Sequence, residues 1–206
     1  MLECLLIVSV IMVAYLVGSI PIGLIIGNFF GVDLRRYGSK NIGATNAYRI
    51  LGPRPAFLIF LGDALKGVFG VCVGYYAGVE YAPLLGGLAA IAGHNWPFFL
   101  KFKGGRGVAT SLGVIAILAP FATLITFAVW FAIVYFTRYV SLASITAAAL
   151  APILMWLLNE QTTVILLTLV AAIFIIVRHR PNIERLLYGQ EVKIKAGTLE
   201  NFKKKK

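Results

Sequence analysis

Long apolar stretches dominate the chain, separated by short polar ones. The apolar runs cover residues 4–28, 56–78, 83–99, 107–137, 141–157 and 162–177. A helix needs about 20 apolar residues to cross a hydrocarbon core of about 30 Å. Each run therefore predicts a membrane helix, the shorter ones tilted or set in a locally thinned bilayer. Run 107–137 is too long for one crossing, since a single helix over it would measure about 46 Å. Pro120 stands near its middle, where proline breaks or kinks a helix. Two crossings meeting at Ala119–Pro120 fit better. The pattern predicts an all-α, polytopic transmembrane bundle of seven spans.

Composition agrees. Sixty per cent of residues are hydrophobic and 13% charged, against about 45–50% and 25% in soluble domains. The first run lacks a basic leader region, carries Glu3 and has no small-residue cleavage site, so it reads as a retained span. Cys4 and Cys72 lie in apolar runs without metal-ligand spacing and are expected to be small buried hydrophobes.

Charge orients the bundle. With the N-terminus outside, Arg35, Arg36, Lys40, Arg49 and Arg54 fall in one inner loop. Lys101, Lys103 and Arg106 fall in the next, then Arg138, then the tail from Arg178. The outer segments hold only the acids Glu3, Glu80 and Glu160. That obeys the positive-inside rule and puts the C-terminus in the cytoplasm. Reading 107–137 as one span would put Arg138 and the tail on the wrong sides. The net charge of +11 thus reflects topology and attraction to anionic lipid, not nucleic-acid binding. A basic face also gathers anionic substrates. Residues 1–190 form one catalytic membrane domain in this reading, and 191–206 a basic cytoplasmic tail ending in Lys203–Lys206.

Three polar clusters share that inner face. The first runs Gly38-Ser39-Lys40-Asn41-Ile42-Gly43-Ala44-Thr45-Asn46 and on to Arg49. It is too polar to span, its hydroxyl and amide groups suit a polar ligand, and Arg49 can fork onto a phosphate or carboxylate. The second holds His94-Asn95-Trp96-Pro97 and then Lys103-Gly104-Gly105-Arg106-Gly107, directly before a helix. Glycines around a cation at a helix N-terminus make a phosphate cradle, although no Walker A spacing is present. His94 reads as a structural hydrogen-bonding residue, and Trp96, Phe98 and Phe99 as interfacial aromatics. The third is Arg178-His179-Arg180-Pro181-Asn182-Ile183-Glu184-Arg185. Pro181 can start a short helix, and Glu184 can pair with Arg180 or Arg185. His179 and Asn182 serve no topological purpose. Ser141 and Ser144 suit either helix capping or the site. Asp63 and Lys66, three apart within a span, read as a neutralising pair that supports the site.

These groups offer cations, N–H donors, hydroxyls and an imidazole. They include no nucleophile triad, paired carboxylates or metal cluster, so no cofactor or metal is expected. They suit electrostatic organisation of phosphate-bearing substrates with a hydroxyl or ester reacting, and the bilayer suggests that one of them is a lipid. The rival classes are an anion transporter, which would place polar residues at the midplane with an internal repeat, and a purely structural subunit, which needs no glycine cradle.

The runs GSKNIGATNAYR, GHNWPFFLKFKGGRGVATSLG, RYVSLASITA and RHRPNIERLL, in that order, resemble the bacterial membrane family of acyl-phosphate-dependent glycerol-3-phosphate 1-O-acyltransferases. The likeness extends from about Tyr15 to Leu187. It implies acyl transfer from acyl phosphate to the 1-hydroxyl of sn-glycerol 3-phosphate in a bacterial inner membrane. The products would be lysophosphatidic acid and phosphate, with thioesters excluded as donors. By motif it implies catalytic roles for Ser39, Arg49, His179 and Asn182. It implies phosphate or substrate contacts for Asn41, Gly43, Asn46, Lys103, Gly104, Gly105, Arg106, Gly107 and Ser144. The family usually has lysine where this chain has Arg106, which keeps the charge but forks differently. The H-x-x-x-x-D motif of soluble-type glycerolipid acyltransferases is absent, since Phe99 and Glu184 stand five residues after the two histidines.

Overall fold

A computed structural model describes residues 1–195; Lys203–Lys206 lie outside them. The described residues form ten α-helices and no strand. The first apolar run is α1 (Leu2–Gly18) and α2 (Ile22–Phe29), interrupted at Pro21, whose φ is −84°. A 3-10 turn, Leu34–Arg36, and the short α3 (Ala44–Leu51) follow. α4 (Pro53–Ala77) starts on a proline and stops at left-handed Gly78, the expected punctuation at both ends. α5 (Ala82–Asn95) and a turn at Phe98–Leu100 lead into the glycine loop. α6 (Val108–Leu118) and α7 (Pro120–Thr137) are separate helices hinged at Ala119, as Pro120 predicts. α8 (Val140–Leu157), α9 (Thr162–Arg178) and α10 (Arg180–Leu187) complete the chain, with α10 bent 59° from α9.

Four segments are long and apolar enough to cross a bilayer: Leu2–Phe29, Pro53–Ala77, Pro120–Thr137 and Val140–Leu157. The bent α9–α10 pair makes a fifth. α5 and α6 are shorter, at about 21 Å and 16 Å by helical rise. The connection between them is exposed at Phe98, Phe99 and Lys101–Lys103, and its glycine end, at Gly105 and Gly107, is buried against the bundle.

Apolar and polar residues are distributed as a bilayer solvent demands. Phe121, Leu124, Phe131, Tyr135 and Phe136 of α7 point outward, while Asp63, Lys66, His94, Asn95, Thr110 and Ser111 are buried. Cys4 and Cys72 are both on the outer surface, which corrects the expectation of burial. Against lipid a small apolar side chain is as well placed outside as inside.

α1, α4, α5 and α6 pack as one group, and α7, α8 and α9 as another. Without a hydrophobic drive between helices in lipid, close packing must come from small residues. A Cβ on Gly113 of α6 would collide with the carbonyl of Ala64, and one on Gly67 of α4 with that of Thr110. Gly70 and Gly86 let α4 and α5 touch in the same way. The groups meet through a core of Val71, Ile91, Val114, Leu167 and Ala171 and a second of Ile115, Ala119, Ala122, Met155 and Val164, and a cavity lies between them. Gly113→Ala should destabilise the bundle by about 1–3 kcal/mol through overpacking, read as a lower Tm in detergent. Ala149→Leu, on the exposed side of α8, should leave Tm nearly unchanged; equal losses would contradict this packing.

Candidate active site

The cavity has a volume of about 400 Å³ and two unlike ends. Ser39, Asn41, Arg49, Arg106, His179 and Asn182 line its polar end. Ala147, Ala148, Ala151, Ala171 and Ala172, from facing sides of α8 and α9, line the apolar end with Thr168.

The first polar cluster is folded around Asn46. Its carboxamide oxygen accepts from Ser39 N–H at 2.9 Å, and its nitrogen reaches the carbonyls of Leu34, Tyr37 and Asn41 at 3.1, 3.2 and 2.8 Å. Asn41 accepts from Gly43 N–H at 3.1 Å and shapes the entry to α3. Asn46 is thus buried as the organiser of the loop, and Ser39 is held at the cavity wall by its backbone. Arg49, one turn further along α3, donates to the carbonyl of Val192 at 2.7 Å. Its Nε is buried without a protein partner.

The glycine loop differs from the expected cradle. The N–H groups of Gly104 and Gly105 donate to the carbonyls of Asn95 and His94 at 3.2 and 3.0 Å. Arg178 donates to the carbonyls of Gly105 and Gly104 at 3.0 and 2.9 Å. Neither glycine lines the cavity, and Lys103 is exposed away from it. These two glycines are required by crowding: a Cβ on Gly105 would collide with the His94 ring, and one on Gly104 with Pro97. The donors that face the cavity come one step later. Gly107, at φ +77°, caps α6, and Val108 and Ala109 bring first-turn N–H groups without intrahelical acceptors to the cavity wall.

Burial pushes the Arg106 guanidinium down to about 10 despite the attraction of Glu191, with Arg185, Arg49 and Arg178 adding repulsion. It remains a cation at neutral pH. Burial lowers Arg49 as well. His179 is buried, with Nδ1 2.8 Å from the carbonyl of Ile175. A carbonyl only accepts, so Nδ1 carries the proton and Nε2 keeps a lone pair. Burial, and then the charge of Arg106, bring this imidazole down to about 4. It is neutral at physiological pH.

Sequence reasoning missed Glu191, which it counted as a tail charge. Its carboxylate accepts from Ser141 Oγ and Asn182 Nδ2, both at 2.7 Å, and pairs with Arg185 at 2.7 Å. Burial raises Glu191, but these hydrogen bonds together hold it below the usual carboxylate range. Glu191 and Ile194 both line the cavity. An acid opening a basic tail was the available signal, and only the fold gives it meaning. Asn182 keeps its Oδ1 unpartnered. Ser144 sits in the wall, its hydroxyl donating to the carbonyl of Val140 and accepting from Trp130. Ser111, Asp63 and His94 also line the cavity. Glu184 pairs with Arg180 at the surface. Among the described residues no three His, Cys, Asp or Glu side chains gather as metal ligands would.

Such a site, cationic and rich in donors at one end and apolar at the other, defines a membrane-embedded pocket for an amphiphile with an anionic head. The family profile described as glycerol-3-phosphate acyltransferase matches residues 8–189. A relative from Moorella thermoacetica, "Glycerol-3-phosphate acyltransferase 2", is 48% identical over 89% of this chain and 95% of its own. The Bacillus subtilis "Glycerol-3-phosphate acyltransferase" is 42% identical over 92% and 98%. The fold is similar to solved structures of PlsY (YgiH), an integral membrane glycerol 3-phosphate acyltransferase. The glycerol 3-phosphate form gives a TM-score of 0.87 at 41% identity, covering 92% of this chain and 96% of that one. The lysophosphatidic acid form gives 0.84, also at 41%, covering 91% and 94%. This chain belongs to the glycerol-3-phosphate acyltransferase family.

The His179 environment predicts a neutral Nδ1–H imidazole from pH 8 down to about pH 5. Nitrogen NMR of histidine-labelled protein, assigned with His94→Gln and His179→Gln, should show no imidazolium for His179 at pH 6. A midpoint near the ordinary value of about 6.5 would contradict the burial argument.

Proposed function

We propose that this chain transfers a fatty acyl group from acyl phosphate to the 1-hydroxyl of sn-glycerol 3-phosphate. The observation that carries the proposal is the single cavity that joins a cluster of cations and N–H donors to an alanine-lined corridor. The phosphates belong at the first end and the acyl chain at the second.

The chemistry asks little more of the protein. The hydroxyl oxygen attacks the acyl carbonyl, the bond from carbonyl carbon to phosphate oxygen breaks, and the hydroxyl proton ends on phosphate. Phosphate is a good leaving group, so no covalent acyl-enzyme is needed. The protein must hold two mutually repelling anions in reacting geometry. Arg49, Arg106 and the first turn of α6 grip the phosphates, with Gly107 allowing close approach. Ser39 and the free Oδ1 of Asn182 orient the substrates. His179 accepts a hydrogen bond from the attacking hydroxyl through Nε2. An imidazole near 4 is a weak base, whereas a phosphate monoester takes its second proton near pH 6. The departing or bound phosphate is therefore the better final acceptor.

Membrane placement follows the same reading. The chain crosses a bacterial inner membrane seven times, N-terminus outside, with α5 and α6 as the two short crossings. The basic loops put the site on the cytoplasmic face. Residues 1–190 make one catalytic domain, and the tail 191–206 begins with a segment laid across the cavity.

Detergent-purified protein given acyl phosphate and glycerol 3-phosphate should form 1-acylglycerol 3-phosphate, with none formed from acyl-coenzyme A. His179→Ala should cost about 10²-fold in turnover, the scale of a misplaced reacting group. Near-normal turnover would remove the histidine from the mechanism. The eleven residues of α8 from Ser141 to Ala151, ten helical rises, span about 15 Å. A carbon chain with bonds of about 1.5 Å fits about a dozen methylenes there. Ala151→Leu should move the donor preference toward shorter chains, read by competing acyl phosphates of different length. An unchanged preference would place the chain elsewhere.

A further inference from the structure

One buried cluster lies beside the phosphate end and has no part in the reaction as derived. Lys66 donates to Asp63 at 2.8 Å, and Asp63 lies 3.4 Å from Nδ1 of His94. All three side chains are at most 6% exposed. Among the described residues the Asp63–His94 contact is the one ion pair joining α4 to α5. The face of His94 away from Asp63 meets the glycine loop. A Cβ on Gly105 would collide with Nε2 of the ring, and Gly105 N–H donates to the carbonyl of the same histidine at 3.0 Å. His94 therefore touches Gly105 through both its ring and its backbone, and Arg106 is the next residue.

A structural ion pair needs no third partner, yet this one is aimed through a histidine at the loop. An Asp63 carboxylate accepts only, so it fixes the proton of His94 on Nδ1 and sets the ring plane. Lys66 keeps the carboxylate in place. Outer residues that orient ligand-binding groups act in this way at metal sites, and the same logic holds for a phosphate gripped by a backbone turn.

We infer that Asp63, Lys66 and His94 form a positioning relay that fixes the height of the Gly105–Gly107 turn and thereby sets how tightly the site holds phosphate. The inference rests on the reading of Arg106 and the start of α6 as a phosphate site. The three residues touch no reacting atom. Their loss raises the KM for the phosphate-bearing substrate held by this turn and leaves kcat largely intact.

The test uses the purified full chain, with inorganic phosphate as the probe and the rise in Tm with phosphate as the readout. His94→Gln keeps an N–H donor for Asp63, whereas His94→Phe keeps the ring bulk and loses the donor. The phosphate concentration for half-maximal stabilisation should rise about tenfold in His94→Phe, the scale of outer-shell losses, and much less in His94→Gln. Asp63→Asn/Lys66→Met, which removes both charges together, should follow His94→Phe. Gly105→Ala should weaken phosphate binding, and Gly105→Ala/His94→Ala should lose less than the two single changes multiplied, because the ring that the new Cβ strikes is gone. The cycle decides the matter even if His94→Phe fails to fold. Wild-type phosphate affinity in His94→Phe, equal losses in the Gln and Phe variants, or single changes that multiply would overturn the relay. Binding is read without turnover. A chain that binds phosphate normally but transfers no acyl group would fail the proposed function and leave the relay standing.

Discussion

Arg49, Arg106, Arg178 and Arg185 come from three separated stretches of the chain; Arg49 and Arg106 line one partly dry pocket, and Arg185, Arg49 and Arg178 all add repulsion at Arg106. Like charges brought together out of water are costly, and Glu191 offsets only part of that cost. Much of the surrounding architecture serves to hold this concentration of charge. Arg178 is turned to the loop carbonyls, Arg185 is paired with Glu191, and Arg49 is tied to the backbone of Val192. Arg106 has Glu191 for attraction but no hydrogen bond to a carboxylate. In the proposed reading a phosphate dianion supplies the counter-charge, so binding energy is built into the resting protein.

Burial governs the neighbouring imidazole, since it disfavours the charged form of His179, and the Arg106 and Arg178 guanidinium groups add to that. His179 thereby keeps a lone pair for a hydroxyl at any physiological pH. The alanines beyond it complete the logic. The alanines of α8 and α9, with Leu112, Ile115, Phe127 and Trp130 of α6 and α7, line a corridor that starts where the cations end. In the proposed reading, one pocket orients an amphiphile by its two halves, with its reactive carbonyl at their junction.

Much of this could be read in the chain itself. The break at Ala119–Pro120 and the helix over 162–178 follow from run length and proline chemistry. The gathering of Ser39, Arg49, Arg106, His179 and Asn182 follows from basic loops sharing a face. What the sequence hides is which face of each group is used. Gly104 and Gly105 look like phosphate donors, yet their N–H groups cap α5, and steric contact with His94 and Pro97 demands glycine there. Asn46 looks like a ligand contact and is an internal organiser of its loop. Glu191 looks like a tail charge and bridges α8 to α10. α3 was concealed in a polar loop because its eight residues are too few to show a helical period. For the glycines, Asn46 and Glu191 the deciding contact is set by how a loop or tail segment folds back, which neither periodicity nor composition encodes.

The central claim is that head and tail of one substrate occupy the two ends of this cavity. A structure solved with a non-hydrolysable acyl phosphonate tests it most directly. The phosphonate should lie within hydrogen-bond reach of Arg106 and the first turn of α6, with its chain running between α8 and α9 toward Thr168. A phosphonate bound away from Arg106, or a chain lying on the outside of the bundle, would contradict the account.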